Sequence, residues 1–477
     1  MMVRPLINFV SIFLLISTIA FAQKSKPEVF RSIDSKYDFY TSIEQKIWGF
    51  AEVGFQEMQS SALLQQTLKD AGFQIEAGVA GMPTAFIATY GSGKPIIGIL
   101  GEYDALPGVA QQAVPELKPI DGQKAGHACG HHLFGTASTA AAIAVKEWLI
   151  ANKNSGTIKF FGTPAEEGGS GKVYLVRDGF FNGVDIVFHW HPSSRNSASF
   201  GSSLSNKSGK FRFYGVASHA AASPQRGRSA LDAVEGMDMM VNMLREHVDE
   251  KTRIHYVITR GGEAPNVVPA FAEVYYYVRH PDPAQVKSTW DWVTKAAQGA
   301  SIGTDTRFES EVTGGVYNLL PNEILAKTVD ENLRAVGGYT LTPSEKEFAQ
   351  KIQQTFSKKP ALESTNEIEK FGADDDKGGS TDVSDISWVV PTAGLGTATW
   401  VPGTAAHSWQ AVAAGGMTIG AKGMIMAAKT LAGSMIDAFS NPKLIEDSWK
   451  ELNKRRGEKF TYEPLIGSRK PALDYRK

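Results

Sequence analysis

The chain has 477 residues, with 49 basic against 50 acidic side chains and a single cysteine. That length exceeds what one hydrophobic core supports and predicts two domains, or one domain with a large insertion. A net charge near zero gives no electrostatic case for nucleic acid or an anionic membrane surface, and a lone cysteine excludes an internal disulfide.

Residues 1–22 read as a secretory signal. One basic residue, Arg4, precedes an apolar run over 6–21 that includes Phe9, Ile12, Phe13 and Leu14, and Ala20-Phe21-Ala22 offers small residues for cleavage. The run is short for a membrane span, and no cysteine stands near it to carry a lipid. The expectation is an exported protein, periplasmic or secreted, with no span in the mature chain. A helix is predicted over 36–51, then strands at 85–90 and 95–100. An Ala-rich helix over 133–149 and strands at 157–162 and 184–188 follow. Strands alternating with helices predict a doubly wound α/β domain. Polar clusters follow three of these strands: Glu102-Tyr103-Asp104, Glu166-Glu167 and His189-Trp190-His191. The carboxyl ends of strands are where open α/β sheets bind ligands.

The middle of the chain changes rhythm. A strand at 210–216, a helix at 229–247, strands at 253–259 and 272–278, a helix at 285–299 and a strand at 306–312 give the ferredoxin-like α+β order. Residues 208–316 are therefore an inserted domain between two parts of the catalytic domain, 23–207 and 317–440. Helix resumes over 321–336, and 441–477 forms a C-terminal extension without a motif. The acidic triplet at 374–376 reads as a solvated loop.

The segment Gly126-His127-Ala128-Cys129-Gly130-His131-His132 holds the only cysteine and three of the ten histidines. A thiolate among imidazoles in a Gly-rich loop offers soft sulfur and borderline nitrogen donors to a divalent metal. In Thr163-Pro164-Ala165-Glu166-Glu167-Gly168-Gly169 the adjacent carboxylates point in different directions, so one can ligate while the other faces water as general base. His189 and His191 alternate on a strand end and share a face, so either suits a ligand. His407 lies in another small-residue loop. One Cys, two or three His and one Glu can build a two-metal site of mixed donors.

These segments, in this order, resemble the metal-dependent amidohydrolases and peptidases of the aminoacylase and carboxypeptidase-G superfamily. The likeness is strongest to the branch containing auxin-conjugate hydrolases and the B subunit of p-aminobenzoyl-glutamate hydrolase. It runs from Ile43 to Leu431 and includes Gly101-Glu102-Tyr103-Asp104-Ala105-Leu106-Pro107, Trp190-His191-Pro192, Ser218-His219-Ala220-Ala221, Pro265-Asn266-Val267-Val268 and Ser380-Thr381-Asp382-Val383. The resemblance implies two divalent metals, zinc or manganese, with Cys129 bridging and His131, Glu167, His191 and His407 as further ligands. It implies Glu166 as the general base, Asp104 holding a ligand imidazole, and His219 reaching from the inserted lid, across a homodimer, to stabilise the oxyanion. Asn266 and Arg279 match lid residues that hold a substrate carboxylate. His127 is read as structural, His132 as either a loop histidine bonded to backbone or a catalytic group, and His189 as a neighbour of the ligand His191.

The expected activity is hydrolysis of the amide bond of an N-acyl or N-aroyl amino acid, a small-molecule substrate carrying a carboxylate. Two alternatives stay open: a general dipeptidase or aminoacylase on the same scaffold, and a non-catalytic subunit that needs a heteromeric partner.

Overall fold

Six strands form the main sheet of the computed structural model, which describes residues 24–373 and 379–476. The expected signal segment and the acidic triplet lie outside the described residues. In space the strands run Gln74–Ala77, Phe86–Ser92, Gly156–Gly162, Ile96–Gly101, Ile186–Ser193, Thr392–Ala398. The last four are mutually parallel, while the first two pair antiparallel. Successive residues such as Ile99 and Leu100, or Phe160 and Phe161, are wholly buried. Neighbours on a strand face opposite sides, so both faces of this sheet are covered. The Ala-rich helix His131–Asn152 packs across the three middle parallel strands, and Thr418–Ser440 lies against it and over the final two. His131–Asn152 is long and apolar enough to cross a membrane, but 83% of its most apolar stretch is buried inside the fold, which makes it a core helix.

Two strands of this sheet lack a sequence signal. Gln74–Ala77 is short and largely exposed, and Thr392–Ala398 is Gly- and Ala-rich, a composition of weak strand preference. Packing explains the second: a Cβ at Gly394 would meet the His189 ring at 2.5 Å. The helix expected over 321–336 is Glu323–Val336, capped by the Asn322 side chain, which accepts from the Leu325 amide at 3.1 Å.

The inserted region forms a separate antiparallel sheet in the order Arg307–Val316, Ser205–Tyr214, Phe271–His280, Arg253–Arg260. Its first strand begins at Ser205, ahead of the expected boundary at 208. Helices Ala230–Leu244 and Pro283–Gly303 cover this sheet, and Phe211, Phe213, Val234, Met237, Tyr276 and Trp290 make a core of their own. Beyond the helix Pro442–Arg456 the chain runs without regular structure. There Leu465 is buried in the inserted domain's core and its neighbour Ile466 in the main core.

Candidate metal centre

Loops at the carboxyl ends of the parallel strands converge on one cavity. Gly130 sits at the turn into the helix His131–Asn152 with φ of 77°, a conformation that favours glycine, and a Cβ there would meet Pro192 at 2.6 Å. The turn puts Cys129 and His131 beside His191, with Cys129 Sγ 3.4 Å from His191 Nε2. Consecutive helical side chains diverge by about 100°. His131 therefore faces Cys129 and His191, while His132 turns away and its Nε2 meets the Gly415 carbonyl at 3.1 Å. His127 Nε2 likewise meets the Ile47 carbonyl at 3.0 Å. Both histidines have backbone partners, as expected for structural roles.

After the strand Gly156–Gly162 the chain kinks through Ala165, φ 56°, into the turn Glu166–Gly169. The Ala165 amide donates to Glu57 Oε1 at 2.8 Å, which anchors the kink to a buried carboxyl. His407 also sits at positive φ, 61°, and its amide donates to the Ala128 carbonyl at 2.9 Å, pinning its loop to the Cys129 loop. Strained non-glycine backbone of this kind collects at functional sites.

The resulting donors overlap. Cys129, His131 and His191 bring ligand atoms within 4.8 Å of one another, as do Cys129, Glu167 and His407, and also His131, Glu166 and Glu167. Cys129 belongs to two of these sets. His131 Nδ1 lies 2.8 Å from Asp104 Oδ1, and Asp104 Oδ2 accepts from the Glu167 amide at 2.9 Å. One carboxylate thus orients two of the donors. Among the described residues, His131 Nε2 and Glu167 Oε1 are buried without a hydrogen-bond partner. His407 Nε2 stands 3.2 Å from that Glu167 oxygen. Buried polar atoms left without hydrogen bonds, next to a thiol and further imidazoles, fit a pair of divalent cations.

Electrostatics separates the two glutamates. Burial, then the charges of Glu102 and Glu167, pushes the Glu166 carboxyl well above the usual range. Burial also opposes the charge on Glu167, but His407 and His131 outweigh it and hold that carboxyl low. Burial and the His131 charge lower His191 to about 4, which leaves the imidazole neutral and able to ligate. Burial raises the Cys129 thiol, against the pull of His131.

The cavity measures 570 Å³ and is lined by Glu102, Cys129, Glu166, Glu167 and His191, with Phe134 and Phe200 as its aromatic walls. Two further buried groups, Lys172 and Asp382, lie behind the lining residue Glu102. Lys172 Nζ bridges Glu102 and Asp382 at 2.7 Å each, and Glu102 Oε2 lies 3.1 Å from His131 Nε2. Glu102 and Asp382 stand in segments that carry the resemblance, but full burial of a lysine between two acids is a tertiary fact. His189 lines the same cavity.

The three residues expected to contribute from the inserted domain stand apart. His219 is exposed, and its Nδ1 accepts from the Ala221 and Ala222 amides at 3.2 and 3.1 Å. Asn266 is exposed as well. Arg279 reaches Ser380 Oγ at 3.5 Å, and Ser380 lines the cavity, so of the three it alone touches the rim.

Known proteins share this architecture. The chain is 39% identical over 455 residues to the B subunit of Escherichia coli p-aminobenzoyl-glutamate hydrolase, a match that spans 89% of this chain and 95% of that protein. It is 28% identical to the mouse Xaa-Arg dipeptidase, over 88% of this chain and 90% of the relative. A Klebsiella pneumoniae aminobenzoyl-glutamate utilization protein superposes with a TM-score of 0.62 at 17% identity, covering 87% of this chain and 98% of that one. A dinuclear metal-binding peptidase from Bacillus subtilis superposes at 0.56 and 17% identity, over 84% and 99%. Residues 98–411 match the peptidase family M20/M25/M40, and the chain is a metal-dependent hydrolase that belongs to that family.

Proposed function

We propose that the protein is an exported amidohydrolase that cleaves the amide bond of an N-acyl or N-aroyl amino acid, p-aminobenzoyl-glutamate-like in form, with Glu166 as general base. The observation that carries this reading is the overlap of three donor sets around Cys129, His131 and Glu167, with Glu166 adjacent to Glu167 on the same turn. One carboxyl of such a pair can ligate while its neighbour moves a proton. Glu167, Cys129, His131, His191 and His407 hold the cations, and when bound these supply Lewis acidity and acidify water. Cysteine among the donors favours zinc over manganese. Glu166 takes the proton from the attacking water and returns it to the leaving amine. Phe134 and Phe200 give the acyl or aroyl group an apolar wall, and Arg279 at the rim suits the amino-acid carboxylate.

His219 and Asn266 fit this reading through a second copy of the chain. The edge strand Arg253–Arg260 of the inserted sheet exposes Tyr256, Val257 and Ile258, and the neighbouring helix exposes Met239 and Met243. An unpaired edge with apolar side chains favours pairing with another chain. We therefore take residues 205–316 as a lid and dimerisation unit that lends His219 to the partner's site. Two further relatives, the A subunit of the Escherichia coli hydrolase and its Haemophilus influenzae homolog, leave a heteromeric partner as the competing arrangement.

Turnover by the purified chain against N-aroyl glutamates, N-acyl amino acids and dipeptides, with metal analysis of the same sample, tests the assignment. The expected result is two metals per chain and the highest kcat/KM on an aroyl glutamate. Faster turnover of dipeptides would transfer the protein to the dipeptidase reading favoured by its mammalian relatives. No hydrolysis by metal-loaded chain, with activity appearing only on addition of a paralogous chain, would assign it a partner role. Cell fractionation with and without residues 1–22 tests export.

A further inference from the structure

The C-terminal segment lies beyond the stretch 98–411 that matches the family, yet it ends against the Glu166–Gly169 turn. Tyr475 Oη and Arg476 Nη2 both donate to the Glu167 carbonyl oxygen, each at 2.9 Å. At the other end of the same residue, the Glu167 amide donates to Asp104 Oδ2 at 2.9 Å. Glu167 itself has φ −72° and ψ 67°, and Gly168 follows at φ 89°, so this peptide departs from helical geometry. The tail is seated firmly. Gln56 Nε2 donates to the Leu473 carbonyl at 2.7 Å, the Tyr475 ring meets Phe55 edge-on at 5.6 Å, and Arg177 Nη1 donates to the Arg469 carbonyl at 2.6 Å. A Cβ on Gly54 would stand 2.2 Å from the Tyr475 hydroxyl, so this position requires a residue without one.

We infer that Tyr475 and Arg476 are positioning residues for the metal centre, fixing the Glu167–Gly168 peptide and through it the direction of the Glu167 carboxylate. The inference rests on the reading of Glu167 as a metal ligand. Two donors, one of them charged, hold the carbonyl more firmly than a solvent contact would. The peptide plane sets the Cα–Cβ direction, and so the placement of a carboxylate whose Oε1 stands 3.2 Å from His407 Nε2. Partners that orient a ligand from behind in this way affect metal affinity by about 10–100-fold.

Chelator competition with zinc on the full-length chain reads the effect directly. In the double variant Tyr475→Phe, Arg476→Gln, the weaker-held zinc is expected to bind about 10–100-fold less tightly, with kcat lowered and KM unchanged. Arg476→Lys keeps a charged donor and recovers most of the affinity, as does added methylguanidine with Arg476→Ala. A Leu465→Ala variant, which loosens the tail where it packs between the two cores, serves as the structural control: it lowers the melting temperature without changing zinc affinity. Wild-type chain that binds two zinc ions, with a folded double variant of equal zinc affinity, overturns this inference alone. Wild-type chain that binds no zinc overturns the metal-centre reading, and this one with it.

Discussion

Around Cys129, five donor side chains from four stretches of chain are held by buried backbone contacts, whereas His219 sits on an exposed turn whose partners all belong to its own domain. The first group is assembled in a single chain, down to the carboxylate that orients His131. The second is exposed, and among the described residues its ring accepts hydrogen bonds only from amides of its own turn. Under the proposed function the contrast separates two tasks: holding cations requires fixed distances before substrate arrives, while stabilising charge that develops during reaction requires a group that arrives with the substrate or the partner.

The strongest way to break this comparison is at Glu166. Glu166→Gln should lower kcat by about 10²–10⁴-fold while two metals stay bound, because only proton transfer is removed. Glu167→Gln should instead release metal, and the opposite pattern in metal analysis would exchange the two roles. Cys129→Ser replaces a thiolate with a hard, mostly protonated hydroxyl and should strip one metal, with a loss of at least about 10²-fold in rate. Metal content and turnover equal to wild type would remove Cys129 from the bridging position.

His219→Ala tests the other side of the comparison. A drop in kcat with intact metal content is expected, since the contact forms mainly in the transition state. Mixing this variant with Glu166→Gln chain should restore part of the activity, because one site of the mixed dimer pairs a wild-type Glu166 with a wild-type His219. Verified subunit exchange without recovery would place His219 outside the partner's site.

A smaller effect sharpens the picture beneath the site. Burial raises the Glu44 carboxyl to about 8, and its Oε2 stands 3.7 Å from His132 Nε2. In the unfolded chain this group titrates near its ordinary value of 4.5. The folded state therefore holds the proton while the unfolded state loses it, and the contribution is full below about pH 4.5 and lost as pH rises toward 8. The slope is about 1.4 kcal/mol per pH unit in that window. Urea unfolding of Glu44→Gln from pH 5 to 8 should lack this part of the decline, and parallel curves for the two proteins would show that Glu44 is ionised in the fold.

Much of the site was legible because its chemistry is local. Cys129 and His131 stand two residues apart in a glycine loop, Glu166 and Glu167 are adjacent, and His191 lies near the end of a strand, before a proline. Strand ends are where an open sheet gathers ligands, so each cluster carried its own placement. Lys172 was not legible, since nothing in Gly171-Lys172-Val173 shows that its ammonium lies buried between Glu102 and Asp382. The strand Thr392–Ala398 was hidden by its glycines, which are small because His189 and Ser193 lie against them. The tail was missed for a similar reason: Tyr475 and Arg476 carry no spacing signal, and their target is a backbone carbonyl some three hundred residues earlier.

By itself the sequence determined the two kinds of domain, through strand and helix rhythm, and the candidate donor residues, through residue chemistry, short-range spacing and family resemblance. Tertiary structure alone decided which donors come within reach of one another, which glutamate is driven toward its neutral form, and that His219 is left exposed on a turn of the inserted domain. Those outcomes depend on burial and on distances between residues far apart in the chain. Both arise only when the strands are stacked and water is excluded between them.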